Sequence, residues 1–88
     1  MKLAWTLMAW EQYVYWEKTN PKLHERINDL IENIFTSPFD GIGKPEPLKF
    51  HLAGKRSRKI NHEHRLVYEV TGAGDGKTLM IYQCRYHY

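Results

Sequence analysis

The chain has 88 residues, 42% hydrophobic and 14% aromatic, which sets it as one small domain and excludes a disordered segment. Its formal net charge of +3 is mild, and its single cysteine excludes an intrachain disulfide and fits a reducing cytoplasm. The charge is unevenly spread. Residues 44–65 hold Lys44, Lys49, Lys55, Arg56, Arg58, Lys59 and Arg65 against only Glu46 and Glu63, so the basic stretch is a local feature of an otherwise slightly acidic chain.

The opening MKLAWTLMAWEQYVYW follows a lysine with apolar positions, but Glu11 and Gln12 interrupt the run and no small-residue cleavage site follows. Neither a secretory signal nor a membrane span is expected there. Leu3 and Trp5 alternate with Lys2 and Ala4, which predicts a strand over 2–6. Trp10, Tyr13, Val14 and Glu17 recur at helical spacing and predict a helix over about residues 8–18. Asn20-Pro21 joins a good N-cap to a good first helical residue. A second helix is therefore predicted from Pro21 to Thr36, with Leu23, Ile27, Leu30, Ile31 and Ile34 as its buried stripe and Lys22, Glu25, Arg26, Asp29 and Glu32 in water.

Residues 37–55, SPFDGIGKPEPLKFHLAGK, contain three Pro and three Gly and read as one long loop, of the kind that often carries function. RSRKIN and HRLVYEV are strand-like runs joined tightly around Asn61–His64, as in a hairpin. TGAGDGK is a turn, and TLMIYQCRYHY reads as a final strand. The order β-α-α-β-β-β over residues 1–88 predicts a single α+β domain, an antiparallel sheet with both helices on one face.

Strand parity puts Leu66, Tyr68 and Val70 on one face and Arg65, Val67 and Glu69 on the other. Arg58, Lys59, Arg65, Arg85 and His87 could then meet on the helix-free face as a basic groove, for which phosphate is the natural ligand. Glu46 is a lone carboxylate in the basic segment, where neighbouring cations favour its charged form and make it a usable proton acceptor. If the ligand is RNA, the 2′-hydroxyl can attack the adjacent phosphate once a base removes its proton. An arginine must neutralise the charge that grows on phosphorus, and an acid must protonate the leaving 5′-oxygen. Glu46, Arg65 with the lysines, and His87 could fill those roles without a metal or cofactor, and Tyr86 and Tyr88 could stack on a splayed base. Plainer readings stand beside these: a sheet-surface salt bridge for Arg65, a solubilising charge for Glu46, a solvated terminal histidine for His87. His62 and His64 read as solvated turn histidines rather than metal ligands, and Cys84 as a buried thiol.

MKLAW, GKPEPLK, EHRLVY and CRYHY, in that order and at this chain length, resemble the YoeB/Txe family of bacterial toxins within the RelE-like group. The resemblance implies a RelE-like microbial ribonuclease fold and a cytoplasmic, ribosome-dependent endoribonuclease that cuts messenger RNA in the ribosomal A site. It also implies neutralisation by a cognate YefM/Phd-type antitoxin, and the capacity to form a homodimer. Glu46 in KPEPLK then matches the proposed general base, Arg65 in EHRLVY the phosphate-stabilising arginine, His87 in RYHY the proposed acid, and Tyr88 the substrate-positioning terminal tyrosine. Either of Glu46 and His87 could serve as base or acid. Lys49 matches a basic residue near the scissile phosphate. Arg58, Lys59 and Tyr86 complete the expected substrate contacts, with Lys59 standing where the family pattern has a second arginine. A non-catalytic ribosome or RNA binder is the alternative.

Overall fold

Two side-chain caps start the two helices. In the computed structural model, which describes Met1–Tyr88, Thr6 Oγ1 accepts the Ala9 N–H at 3.1 Å at the head of α1 (Leu7–Thr19). Asn20 Oδ1 accepts the Leu23 N–H at 3.3 Å at the head of α2 (Pro21–Thr36), with Pro21 in the first turn where its missing N–H is harmless. The α2 stripe is as expected, with Ile27, Leu30, Ile31 and Ile34 buried. These meet Ala9 and Trp16 of α1 and the sheet residues Leu66, Tyr68, Leu79 and Ile81 in one core.

The sheet has five strands: β1 (Lys2–Trp5), β2 (Glu46–Pro47), β3 (Arg56–Lys59), β4 (Arg65–Thr71) and β5 (Thr78–Gln83). Their spatial order is β1-β5-β4-β3-β2. The predicted α+β architecture is present, with three differences. Glu46 and Pro47 form a short edge strand inside the segment read as loop, held by antiparallel pairing of Glu46 with Ser57 and Pro47 with Arg56. β1 runs parallel to β5 at the edge of the sheet, Lys2 opposite Thr78 and Trp5 opposite Ile81. The final strand stops at Gln83, and Cys84–Tyr88 form a tail of bends. No helix is long and apolar enough to cross a membrane.

Leu66 and Tyr68 face the helices, as parity predicts. Ser57 and Val67 pair on the opposite face, yet each is only 1% exposed. The tail crosses there, with Tyr88 Oη 3.0 Å from Ser57 Oγ.

Candidate active site

The tail is held along its length. Gln12 and Trp16, four residues apart and so on one side of α1, grip the backbone where β5 ends. Gln12 Oε1 accepts the Cys84 N–H at 2.8 Å, and Trp16 Nε1 donates to the Cys84 carbonyl at 2.8 Å. Two residues on, Tyr86 donates its N–H to His64 Nδ1 at 2.7 Å and accepts the Arg65 N–H on its carbonyl at 3.0 Å. His64 is therefore not a solvated turn residue. It is buried, its ring lies edge-on to Trp16 at 4.8 Å, and the bond accepted at Nδ1 leaves the ring proton on Nε2. Two backbone bonds force Tyr86 to φ +70 and turn the chain back over the sheet, where Tyr88 meets Ser57.

Beside this tail lies an open groove of about 390 Å³, lined by Glu46, Lys49, Phe50, His51 and Tyr88 with Pro47, Leu48 and Leu52. Glu46 shares the sheet face of its partner Ser57 and hence of Val67; Lys59 and Arg65 pair one step along the same face. Arg65 is half-buried. Its Nη1 donates to the Asn61 carbonyl at 2.8 Å and the His64 carbonyl at 3.1 Å, while Nε and Nη2 make no hydrogen bond. One edge of the guanidinium thus braces the hairpin turn and the other is free. His87 is exposed, its ring edge-on to Tyr88 at 4.9 Å. The one contact between a carboxylate and a basic side chain is Glu63 with His64 Nε2 at 3.7 Å, and no Lys or Arg pairs with a carboxylate. Arg65, Lys49, Lys59 and Glu46 therefore have no charged partner, which removes the salt-bridge reading of Arg65.

Three expectations fail on packing grounds. Arg58 does not bind substrate from the open face, because it points into the fold and is fully buried. Its Nε donates to Tyr68 Oη, Nη1 to Asn33 Oδ1 and the Ile42 carbonyl, and Nη2 to the Ser37 and Asp40 carbonyls. All five guanidinium donors are used. The Tyr86 ring is not in the groove. It lines a separate depression with Met8, Glu11, Gln12, Tyr15 and Arg85, and only its backbone serves the tail. Arg85 leaves the basic cluster for the same place, its guanidinium 3.9 Å above the Tyr15 ring. Lys59 stays on the open face with its ammonium unpaired, while its N–H donates to the Gly43 carbonyl at 2.6 Å. Cys84 is buried as expected, and burial pushes its thiol up to about 12. No three His, Cys, Asp or Glu side chains gather in a way that could hold a metal ion.

Ser57, His64, Phe50 and the Gln12–Trp16 clamp are the site features that the sequence reading missed. All the non-glycine residues with positive φ lie around this region: Lys44 (+51) before β2, Phe50 (+57) in the groove and Tyr86 (+70) in the tail. Strain of this sort persists where the surroundings impose it, and it concentrates at functional sites.

A family model described as a YoeB-like toxin of bacterial type II toxin-antitoxin systems matches residues 5–88. Toxin YoeB of Escherichia coli K12 is 49% identical over the full length of both chains. A YoeB/ParE toxin from Agrobacterium tumefaciens has a solved structure with 52% identity, TM-score 0.96 and full coverage of both chains. The Staphylococcus aureus YoeB, solved as a dimer, is 40% identical with TM-score 0.88, covering 100% of this chain and 98% of that one. A Staphylococcus aureus YoeB in a heterotetrameric YoeB–YefM complex gives 42% identity and TM-score 0.87 at the same coverage.

Proposed function

The chain belongs to the YoeB-like toxin family of type II toxin-antitoxin systems, and from that premise we propose that it is a ribosome-dependent messenger RNA endoribonuclease. One observation carries the proposal. A free carboxylate and free cations share one open face with the pinned Tyr88, no ion pair neutralises them, and His87 stands exposed beside Tyr88.

Glu46 takes the proton from the 2′-hydroxyl of the nucleotide before the cut. The 2′-oxygen bonds to phosphorus, and the bond from phosphorus to the 5′-oxygen breaks. The free edge of Arg65, with Lys49 and Lys59, bears the charge that accumulates on the phosphoryl oxygens. His87 gives its proton to the leaving 5′-oxygen, so the products are a 2′,3′-cyclic phosphate and a 5′-hydroxyl. Tyr88, braced by Ser57, closes the groove over the reacting phosphate. The nucleophile belongs to the substrate, so the chemistry asks the protein only for a base, an acid and cations.

A YefM-type antitoxin is the proposed partner, because the related Staphylococcus aureus toxin is solved with YefM. The proposed homodimer rests on a Staphylococcus aureus YoeB solved as a dimer. Action on ribosomes places the protein in the cytoplasm. The competing view, a ribosome binder that blocks translation without cutting, needs the cations but neither Glu46 nor His87. Primer extension on a defined messenger programmed into ribosomes separates the two. Wild type should cut, and Glu46→Ala and His87→Ala should bind ribosomes without cutting. Arrested translation with an intact messenger would establish the binder.

A further inference from the structure

We infer that Phe50 is the platform on which a base of the bound RNA stacks beside the scissile phosphate. The inference rests on the endoribonuclease reading and deepens it.

Phe50 is 89% exposed, more than any other large hydrophobic side chain in the chain. Its ring makes no aromatic or cation contact within the protein, so core packing does not explain it. Its backbone sits at φ +57, a region where a bulky side chain is strained and glycine or asparagine is not. Stability therefore argues against a phenylalanine here on two counts, exposed apolar area and backbone strain.

The ring is nevertheless firmly presented. The Leu48 N–H donates to the Lys55 carbonyl at 3.0 Å and the Lys55 N–H to the Leu52 carbonyl at 3.0 Å. Between them the Leu52 N–H reaches the Lys49 carbonyl at 3.1 Å, and the Ala53 N–H reaches the Phe50 carbonyl at 3.0 Å. The turn is closed at both ends, and the positive φ aims the ring outward from it.

What it lines is the groove of Glu46, Lys49 and Tyr88. Its chain neighbours Lys49 and His51 are exposed polar residues, so the ring stands between a cation and an imidazole, with Pro47, Leu48 and Leu52 completing the wall of the groove. A cation for phosphate beside an exposed aromatic for a base is how single-stranded nucleic acid is held without strict sequence demands. The 2′-hydroxyl must line up behind phosphorus for attack, and fixing the adjacent base fixes the sugar that carries it.

The test measures cutting rates on messenger-programmed ribosomes, at limiting toxin, for wild type, Phe50→Ala, Phe50→Leu and Phe50→Trp, with the thermal midpoint of each. Ala and Leu should cut about tenfold slower or worse, and Trp within a small factor of wild type, as sequence-tolerant stacking requires. Midpoints should stay level or rise. Wild-type rates in Phe50→Ala or Phe50→Leu would overturn the inference, and so would failure of Phe50→Trp to restore cutting. A fall in midpoint that tracks the lost activity would mark Phe50 as structural instead. Normal cutting with weakened antitoxin binding would assign the ring to the partner protein. Wild type that cuts nothing would remove the endoribonuclease reading itself, a result distinct from all of these.

Discussion

Arg58→Lys tests whether this cation belongs to the fold or to the substrate. The guanidinium is wholly buried, with neutral acceptors on every side: the carbonyls of Ser37, Asp40 and Ile42, the Asn33 amide oxygen and the Tyr68 hydroxyl. It ties the loop after α2 to β3. A lysine has three donors on one nitrogen and cannot span this ring of acceptors, so at least two lose their partner. Hydrogen bonds to a charged group are worth about 1.5–3 kcal/mol each, which puts the cost at about 3–6 kcal/mol. A domain of this size has only about 5–10 kcal/mol in total. With a urea dependence of about 1 kcal/mol per molar, the midpoint should drop by about 3 M or more. Arg65→Lys is the control. That residue is half-buried and gives one nitrogen to two carbonyls, so its replacement should cost about 1 kcal/mol or less while cleavage collapses with the lost fork. An Arg58→Lys protein of near wild-type stability but without cleavage would refute this division of labour.

Gly41→Ala should imitate Arg58→Lys, because Gly41 sits at φ +113 and an added Cβ would come within 2.1 Å of the Asn33 oxygen that holds Arg58. Glu46→Gln and His87→Ala should each lower single-turnover cleavage on ribosomes by about 10²–10⁴-fold, with thermal midpoints close to wild type. His64→Ala leaves the Tyr86 N–H without its acceptor and should cost about 1–3 kcal/mol along with cleavage; Asn at 64, whose amide oxygen can accept, should recover part of both in the same assays. Stability should decline on the alkaline side. The Cys84 thiol is raised from 9.0 to about 12 by burial, and the Tyr82 phenol is raised by its bond to Glu69. The folded state holds those protons longer than the unfolded chain does, so folding free energy is intact below about pH 9 and falls above it, as urea titrations across pH 8–11 would show.

The helices were legible because their signals are local. Asn20-Pro21 and the Ile27–Ile34 stripe name both the start and the buried face of α2 within sixteen residues. Thr6 was read as strand because a cap resembles an extended residue until the helix behind it is known. β2 has no local signal at all. Two residues in a proline-rich run become a strand only because Ser57 and Arg56 lie opposite them. The direction of β1 was equally hidden, since alternation gives a face and not a polarity. Of the proposed site, Glu46, Arg65, His87 and Tyr88 are proposed from motif resemblance and strand parity. Arg58 was misjudged because charge within a basic segment looks like surface. What buries it is a set of loop carbonyls, and every residue has a carbonyl, so no residue type announces them. His64 was missed for a related reason: its ligand is the backbone N–H of Tyr86, far along the chain.

The strand order bears on how such a protein can be made safely. β1 leaves the ribosome early, but its only neighbour in the sheet is β5, and Lys2 waits for Thr78. α1 likewise waits, since Gln12 and Trp16 close on Cys84. Pairings this distant in sequence form slowly and late. During synthesis the groove has its carboxylate and its cations but no tail to complete it. On the proposed reading, a nascent chain is thus unarmed toward messenger RNA, and a partner that binds the finished groove has the interval of folding in which to arrive.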